Sequence, residues 1–312
     1  MKLSIILPVY NEEGNLKELY KEIKAVLDPL LADYEIIAVN DGSSDGGLET
    51  LKEIAHGDIK FKVVNFRKNY GQTAAIAAGI DFAQGEIIIP MDADLQNDPV
   101  DIPQFLKEIN NGFDVVSGWR KNRKDNFSRR LPSKIANRVI SLITKVKLHD
   151  YGCTMKAYKS EIVKDVRFYG EMHRFMPAYA FWHGAKIGEI VVHHRPRKHG
   201  KAKYGLSRIF RVILDLLTVK FLMAYLTKPM HFFGAVGLLF LFLGSLSGLA
   251  TLILKFVLNV HLNSTQLPLI TVFMIIIGIQ FILMGLLAEI LIRIYYEGRD
   301  KRPYLIKEKI NF

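Results

Sequence analysis

Residues 230–254 include no Lys, Arg, Asp or Glu, and residues 267–292 include only Glu289. At about 1.5 Å of rise per residue, either stretch is long enough as a helix to cross a ~30 Å hydrocarbon core. Two such spans near one end leave roughly the first two-thirds of the 312 residues to fold as a soluble domain. The segment between the spans, residues 259–266, has no Lys or Arg, whereas Arg293, Arg299, Lys301 and Arg302 follow the second span. That asymmetry predicts that the short loop lies outside and both termini in the cytosol, as expected of a multi-pass protein of the inner (cytoplasmic) membrane. Residues 3–9 are too few for a signal peptide and run through Pro8 into Asn11-Glu12-Glu13 without a cleavage site. The lone Cys153 allows no internal disulfide and suits a reducing compartment. Gly244-Ser245-Leu246-Ser247-Gly248 offers a small-residue face, either for the second span or for another protomer of an expected homo-oligomer.

The soluble part alternates in pattern. Residues 3–9, 35–40, 62–65, 86–91 and 114–118 read as short strands, with helical patterns between them at about 15–27, 47–55, 73–82 and 99–110. The alternation predicts parallel βαβ units with right-handed crossovers, an α/β nucleotide-binding class. Each strand then exits into polar residues: Tyr10-Asn11-Glu12, Asp41-Gly42-Ser43-Ser44-Asp45, Arg67-Lys68-Asn69-Tyr70-Gly71, Asp92-Ala93-Asp94-Leu95-Gln96 and Trp119-Arg120. Any one of these loops is explained by turn chemistry, but together they line the sheet edge at which open α/β sheets bind ligands. Asp92 and Asp94 are hard oxygen donors one residue apart and suit Mg²⁺ or Mn²⁺ holding a diphosphate. Asp98-Pro99 supplies an N-cap and a first-turn proline for the next helix.

Pro8-Val9-Tyr10-Asn11-Glu12, Asn40-Asp41-Gly42-Ser43-Ser44-Asp45, Asn69-Tyr70-Gly71-Gln72 and Asp92-Ala93-Asp94-Leu95-Gln96, in that order, resemble the signature series of family 2 glycosyltransferases with the GT-A fold. Over nearly its whole length the chain is similar to the polyprenyl-phosphate branch of that family, which includes dolichyl-phosphate mannose synthase and bacterial undecaprenyl-phosphate glucose and formamido-arabinose transferases. The resemblance implies a mostly parallel GT-A sheet, amphipathic interface helices and two C-terminal transmembrane helices. It also implies inverting, metal-dependent transfer from a nucleotide-diphosphate sugar to a polyprenyl phosphate, with Mg²⁺ or Mn²⁺ as cofactor and membrane lipid as a partner. Pro8, Tyr10, Glu12 and Asp41 are implied to hold the nucleobase and ribose. Asp92, Asp94 and Gln96 match the positions that carry the metal and the sugar diphosphate. Gln72 stands where many glucose and mannose enzymes have lysine and matches the formamido-arabinose enzymes instead, so the sugar stays open.

Residues 120–147 contain ten Lys or Arg against one acid, Asp125. Within them, Ile135, Val139, Ile140, Ile143 and Val146 share one helical face, the pattern of a helix in a membrane interface or of a surface helix packed on the sheet. Nearness to the spans favours lipid phosphate over nucleic acid as the partner of this charge. By resemblance, Arg120, Arg129 and Ser133 cradle the phosphate of the acceptor lipid. Asp150, in His149-Asp150-Tyr151-Gly152-Cys153, resembles an element beside the sugar site and is either a base or an orienting group. A base is dispensable, because a phosphate monoester with a second pKa near ~6 is mostly ionised at pH 7. Asp94, Asp150 and Arg120 are therefore the candidate catalytic residues. Residues 195–205 contain no acid and read as a mobile loop; in the family such a loop closes over the donor diphosphate, and Arg197 and Lys198 are its candidate clamp.

The expected organisation is a catalytic domain over residues 1–205, with an interface helix at about 130–147. A juxtamembrane amphipathic helix over 206–229, two spans over 230–296 and a basic cytosolic tail over 297–312 follow. Two rivals stand beside this reading. A processive polysaccharide synthase of the same superfamily is opposed by the lack of any Gln-x-x-Arg-Trp sequence, and an inactive membrane scaffold by the intact Asp41, Asp92, Asp94 and Gln96.

Overall fold

Strands β1 (Leu3–Val9) and β2 (Tyr34–Asn40) are buried along almost their whole length, as apolar strands must be when helices cover both faces of a sheet. The computed structural model describes residues 2–30, 33–121, 137, 140–141, 144–164, 174–196, 229–261, 264–297 and 304–312. They fall into one unit of residues 1–220 with 302–312 and a second of residues 221–301.

The first unit is built on an eight-stranded sheet. Besides β1 and β2 it contains β3 (Phe61–Phe66), β4 (Ile87–Pro90), β5 (Val115–Trp119), β6 (Lys156–Lys159), β7 (Ile187–Val191) and β8 (Ile306–Ile310), in the order β7-β5-β6-β4-β1-β2-β3-β8. Helices α1 (Glu13–Leu30), α2 (Gly47–Gly57) and α4 (Ile102–Asn110) share one apolar layer, into which α1 sends Leu16, Leu19, Ile23 and Leu27. That spacing of three and four residues is the buried stripe of an amphipathic helix. Helix α3 (Gln72–Phe82) covers the other face, together with Met176 and Ala180 of α6 (Met176–Trp182), while α5 (Ser160–Val163) follows β6 directly. Gly79 lets α3 lie close on β1: a Cβ there would sit 2.3 Å from Ile6 Cγ2.

β1 runs parallel to β2 and β4, β2 runs parallel to β3, and β4 and β5 are both antiparallel to β6. The carboxyl ends of β1 to β5 therefore share one edge, as the alternation predicts. Two strands escape that pattern. β6 has only four residues and begins and ends on lysine, yet it inserts antiparallel between β4 and β5. β8 lies in the part of the chain expected to be only a basic tail, and it pairs antiparallel with β3 as the sheet's edge. Its Lys307, Glu308 and Lys309 are the charged residues by which exposed edge strands resist further pairing. Tyr304 stacks on Phe66 at 4.9 Å and donates to Asp81 Oδ2 at 2.6 Å.

The second unit is a hairpin of α7 (Pro229–Phe256) and α8 (Leu267–Glu297). Gly237 faces Gly278 and Ile282, Gly244 faces Ile275, and Gly248 faces Thr271, so the helices run antiparallel with glycines at their closest approach. Thr271 Oγ1 donates to Ser247 Oγ at 3.0 Å across this seam. The small-residue face of α7 is thus used within the hairpin. Met230–Phe256 and Leu267–Ala288 are long and apolar enough to cross a membrane, and Leu238, Phe242, Leu246, Val272, Ile276 and Leu283 project from them exposed. Most of the amphipathic segments expected at 130–147 and 206–229 lie outside the described residues.

Candidate active site

The loops leaving β1 and β2 are laced together by the side chains that cap the following helices. Asn11 N–H donates to Ser43 Oγ at 3.1 Å, and Ser44 N–H donates to Asn11 Oδ1 at 2.8 Å. Glu13 N–H donates to Asp45 Oδ2 and Gly46 N–H to Glu13 Oε2, both at 3.0 Å, so each helix start satisfies an orphan donor of the other. Asn11 takes a left-handed φ of 52°, which asparagine tolerates.

Asp41 extends the lacing to β3. Its Oδ1 accepts from Tyr70 N–H at 2.6 Å and its Oδ2 from Gly71 N–H at 2.9 Å, while Asn69 Nδ2 donates to its backbone oxygen at 3.1 Å. Gly42 makes this approach possible: at φ 67° its Cβ would stand 2.5 Å from Lys68 C. Burial pushes the Asp41 carboxyl above its ordinary value despite the two N–H donors.

The Asp92 loop forms the floor. Asp92 Oδ1 accepts from Gln72 Nε2 at 2.7 Å, and Oδ2 accepts from Thr154 Oγ1 at 2.8 Å. Leu95 holds φ 60°, a conformation costing about 1–3 kcal/mol in a non-glycine residue. Its side chain is buried in the core, and the turn brings Gln96 N–H to Asp94 Oδ1 at 3.2 Å. Pro8, Tyr10, Glu12, Asp41, Gln72, Asp92 and Asp94 line one cleft of about 320 Å³. Gln96 stands beside it: its carbonyl accepts from Arg195 N–H at 3.0 Å, and its Nε2 approaches Arg195 O at 3.5 Å.

Among the described residues no three His, Cys, Asp or Glu side chains gather into a cage for a cation. The Asp92 and Asp94 pair instead matches what Mg²⁺ or Mn²⁺ asks of a protein when water and substrate phosphate complete its shell. Burial, and then the charge of Asp94, push the Asp92 carboxyl up to about 6. A divalent cation offsets both effects, so the residues present fit one.

On the far side of the cleft floor, Arg120 Nε donates to Asp150 Oδ2 at 2.7 Å and Nη2 to Oδ1 at 3.0 Å. Below this pair the buried Lys156 donates to the carbonyls of Tyr151 and Cys153, and burial lowers its ammonium to about 8. Arg195 pairs with Glu22 of α1 at 2.8 Å and with Asp98 at 2.7 Å, and His193 bonds Asp101 at 2.7 Å. The start of the basic loop is therefore fastened to the segment that follows the paired aspartates. Arg129, Ser133, Arg197 and Lys198 lie outside the described residues. Sequence reasoning does not single out Thr154, Lys156 or Arg195 as structural ties. The available signals are slight: Thr154 follows the Asp-Tyr-Gly-Cys run directly, and Arg195 opens the basic loop.

Residues 4–167 match the family described as Glycosyl transferase family 2. The chain belongs to the family 2 glycosyltransferases. Residues 228–294 of this glycosyltransferase match a second family, the GtrB C-terminal hairpin, which coincides with α7 and α8. Dodecaprenyl-phosphate galacturonate synthase of Rhizobium johnstonii is 42% identical, the alignment covering 99% of this chain and 93% of that protein. Undecaprenyl-phosphate 4-deoxy-4-formamido-L-arabinose transferase of Pseudomonas fluorescens SBW25 is 37% identical, over 99% of this chain and 89% of that one. Glucosyl-3-phosphoglycerate synthase of Mycobacterium tuberculosis, solved with Mn²⁺ and UDP-glucose, superposes with a TM-score of 0.56 at 16% identity, over 70% of this chain and 78% of that chain. That likeness bears on the fold alone and agrees with a GT-A sheet.

Proposed function

We propose that this glycosyltransferase moves a sugar from a nucleotide-diphosphate donor to a polyprenyl phosphate at the cytosolic face of the inner membrane. The observation that carries the proposal is the cleft itself, where paired carboxylates stand beside the loops of β1, β2 and β3 in a chain whose relatives are named for polyprenyl-phosphate sugar transfer. Pro8, Tyr10, Glu12 and Asp41 take the nucleoside end of the donor, where carboxylate oxygens accept from base N–H groups and ribose hydroxyls. Asp92 and Asp94, with Gln96 beside them, are the residues to hold Mg²⁺ or Mn²⁺, which when bound neutralises the departing diphosphate. Arg197 and Lys198 add positive charge on the same leaving group. Arg120, Arg129 and Ser133 hold the acceptor phosphate. An oxygen of that phosphate forms the new bond to the anomeric carbon as the bond to the nucleoside diphosphate breaks on the opposite face, inverting the configuration. The acceptor arrives ionised, so no side chain has to remove a proton.

Both ends of the hairpin lead back into the unit of residues 1–220 and 302–312. A hairpin of two spans enters and leaves on one side, and the excess of Lys and Arg after the second span over a loop at 259–266 that has none makes that side the cytosol, with the loop outside. Any homo-oligomer uses faces other than the glycine seam between α7 and α8.

The test is transfer by the full-length protein in nanodiscs containing undecaprenyl phosphate, supplied with a panel of nucleotide sugars. Nucleotide-linked galacturonate and 4-deoxy-4-formamido-L-arabinose come first, because the relatives' names carry those sugars. Glycolipid formed from one of them supports the proposal; hydrolysis of donors without a lipid product overturns the acceptor assignment.

A further inference from the structure

Asp92 is gripped from two directions by groups outside its own loop. Gln72, the first residue of α3, bonds Oδ1, and Thr154, which precedes β6, bonds Oδ2. Both donors are neutral, so they fix the plane of the carboxylate without cancelling its charge, and each oxygen keeps a further lone pair for another partner. A neutral donor behind a ligating carboxylate is how outer-shell groups aim a metal ligand.

Thr154 belongs to a turn that is itself pinned. Asp150 Oδ1 accepts from Gly152 N–H at 3.1 Å while its two oxygens hold Arg120, and Lys156 draws the carbonyls of Tyr151 and Cys153 onto one buried ammonium. Residues 150–156 thus run without slack from the ion pair on the acceptor side to the carboxylate on the donor side. A lysine only 2% exposed, paired with carbonyls, is a costly way to hold a turn. Its position beneath that turn gives the cost a purpose.

We propose that Thr154, with Gln72 opposite it, is a positioning residue that sets the Asp92 carboxylate for a divalent cation and couples that setting to the Asp150–Arg120 pair. The proposal rests on the reading above that Asp92 and Asp94 take such a cation. Its test is Mn²⁺ binding to the full-length protein in nanodiscs, followed by electron paramagnetic resonance with neither donor nor acceptor present. T154V removes the hydroxyl at nearly constant volume, T154S retains it, and Q72A removes the opposing donor. The expected result is a loss of Mn²⁺ affinity of roughly 10–100-fold in T154V and in Q72A. T154S stays close to wild type, and the thermal midpoints do not follow the loss. With donor present, T154V raises the donor KM more than the acceptor KM. Wild-type Mn²⁺ affinity in folded T154V overturns the proposal and leaves the proposed function standing, whereas a wild-type protein that binds no Mn²⁺ either alone or with the nucleotide-diphosphate donor overturns both. Should T154V fail to fold, Q72A decides in the same way, because its side chain stands at a helix start on the cleft wall.

Discussion

The Arg120 guanidinium clasps Asp150 with two prongs, at 2.7 and 3.0 Å, in a pair whose side chains are only 13% and 4% exposed. Both carboxylate oxygens point at N–H donors of Arg120 and Gly152. A carboxylate so engaged is built to orient a guanidinium, and a guanidinium held in one plane is suited to presenting its remaining N–H groups to a phosphate. Of the two roles open to Asp150 from sequence, the geometry favours orientation over proton removal.

Asp150→Asn is therefore expected to lower turnover and raise the acceptor KM while leaving the shape of the pH–rate profile intact. It leaves a buried cation without its partner, so stability falls by about 3 kcal/mol. Kinetics between pH 5.5 and 9 check this, and disappearance of a titrating limb in the variant would restore the base assignment.

Arg195→Ala is expected to raise the donor KM, because the ion pairs to Glu22 and Asp98 fasten the start of the basic loop beside Gln96. The acceptor KM should move less. Steady-state kinetics with each substrate varied in turn check the split, and equal changes in both contradict it.

Much of the sheet is legible in the sequence because its central strands are continuous apolar runs and its helices carry clear stripes, as in Leu16, Leu19, Ile23 and Leu27 of α1. The cleft is legible for a related reason: parallel strands send their exits to one edge, so the sequence alone groups Tyr10, Asp41, Asp92 and Arg120. β6 is not legible, since four residues that begin and end on lysine carry no apolar alternation, and Lys156 is buried only because two carbonyls of the turn just before it receive its ammonium. β8 is hidden for the opposite reason. An Ile-Lys-Glu-Lys-Ile segment reads as a solvated tail until β3 offers it an edge. The tie from Thr154 to Asp92 spans 62 positions and leaves no local trace.

The last residues are structural on this account. Asn311 Nδ2 reaches the carbonyls of Ala55 at 2.7 Å, Phe61 at 2.8 Å and Asp58 at 3.3 Å, joining the end of β8 to the end of α2 and the start of β3. Asn311→Ala is expected to cost about 1–3 kcal/mol, chiefly through the Ala55 and Phe61 carbonyls that lose this donor, since Asp58 O still accepts from Phe61 N–H. Urea unfolding of the full-length protein measures this, and a change of only a few tenths would mean that β8 contributes little.

Glu35 sets a pH dependence far from the cleft. It lies between Ser4 Oγ at 2.6 Å, Gln84 N–H at 2.6 Å and Lys62 Nζ at 2.7 Å. Burial pushes its carboxyl up, but Lys62, Ser4 and Gln84 together outweigh burial and hold it below the ordinary value of 4.5. An acid whose folded pKa is depressed stabilises the fold fully above its unfolded pKa and loses that contribution as pH falls through the folded value. Glu35→Gln should then destabilise by about 3 kcal/mol at pH 7, with the gap to wild type closing below about pH 4. Thermal melts from pH 7 to 3 check the sign; a gap that widens on acidification contradicts it.

The most direct measurement is cation-dependent glycolipid formation by wild type and Asp94→Asn in the same nanodiscs, with Mg²⁺, with Mn²⁺ and after chelation. Wild type should transfer sugar to undecaprenyl phosphate only when a divalent cation is present, and folded Asp94→Asn should lose at least about 100-fold in turnover at saturating donor, the scale of removing a group that stabilises the leaving charge. Transfer that persists in chelator, or in Asp94→Asn at the wild-type rate, contradicts the claim that these paired acids hold the departing diphosphate.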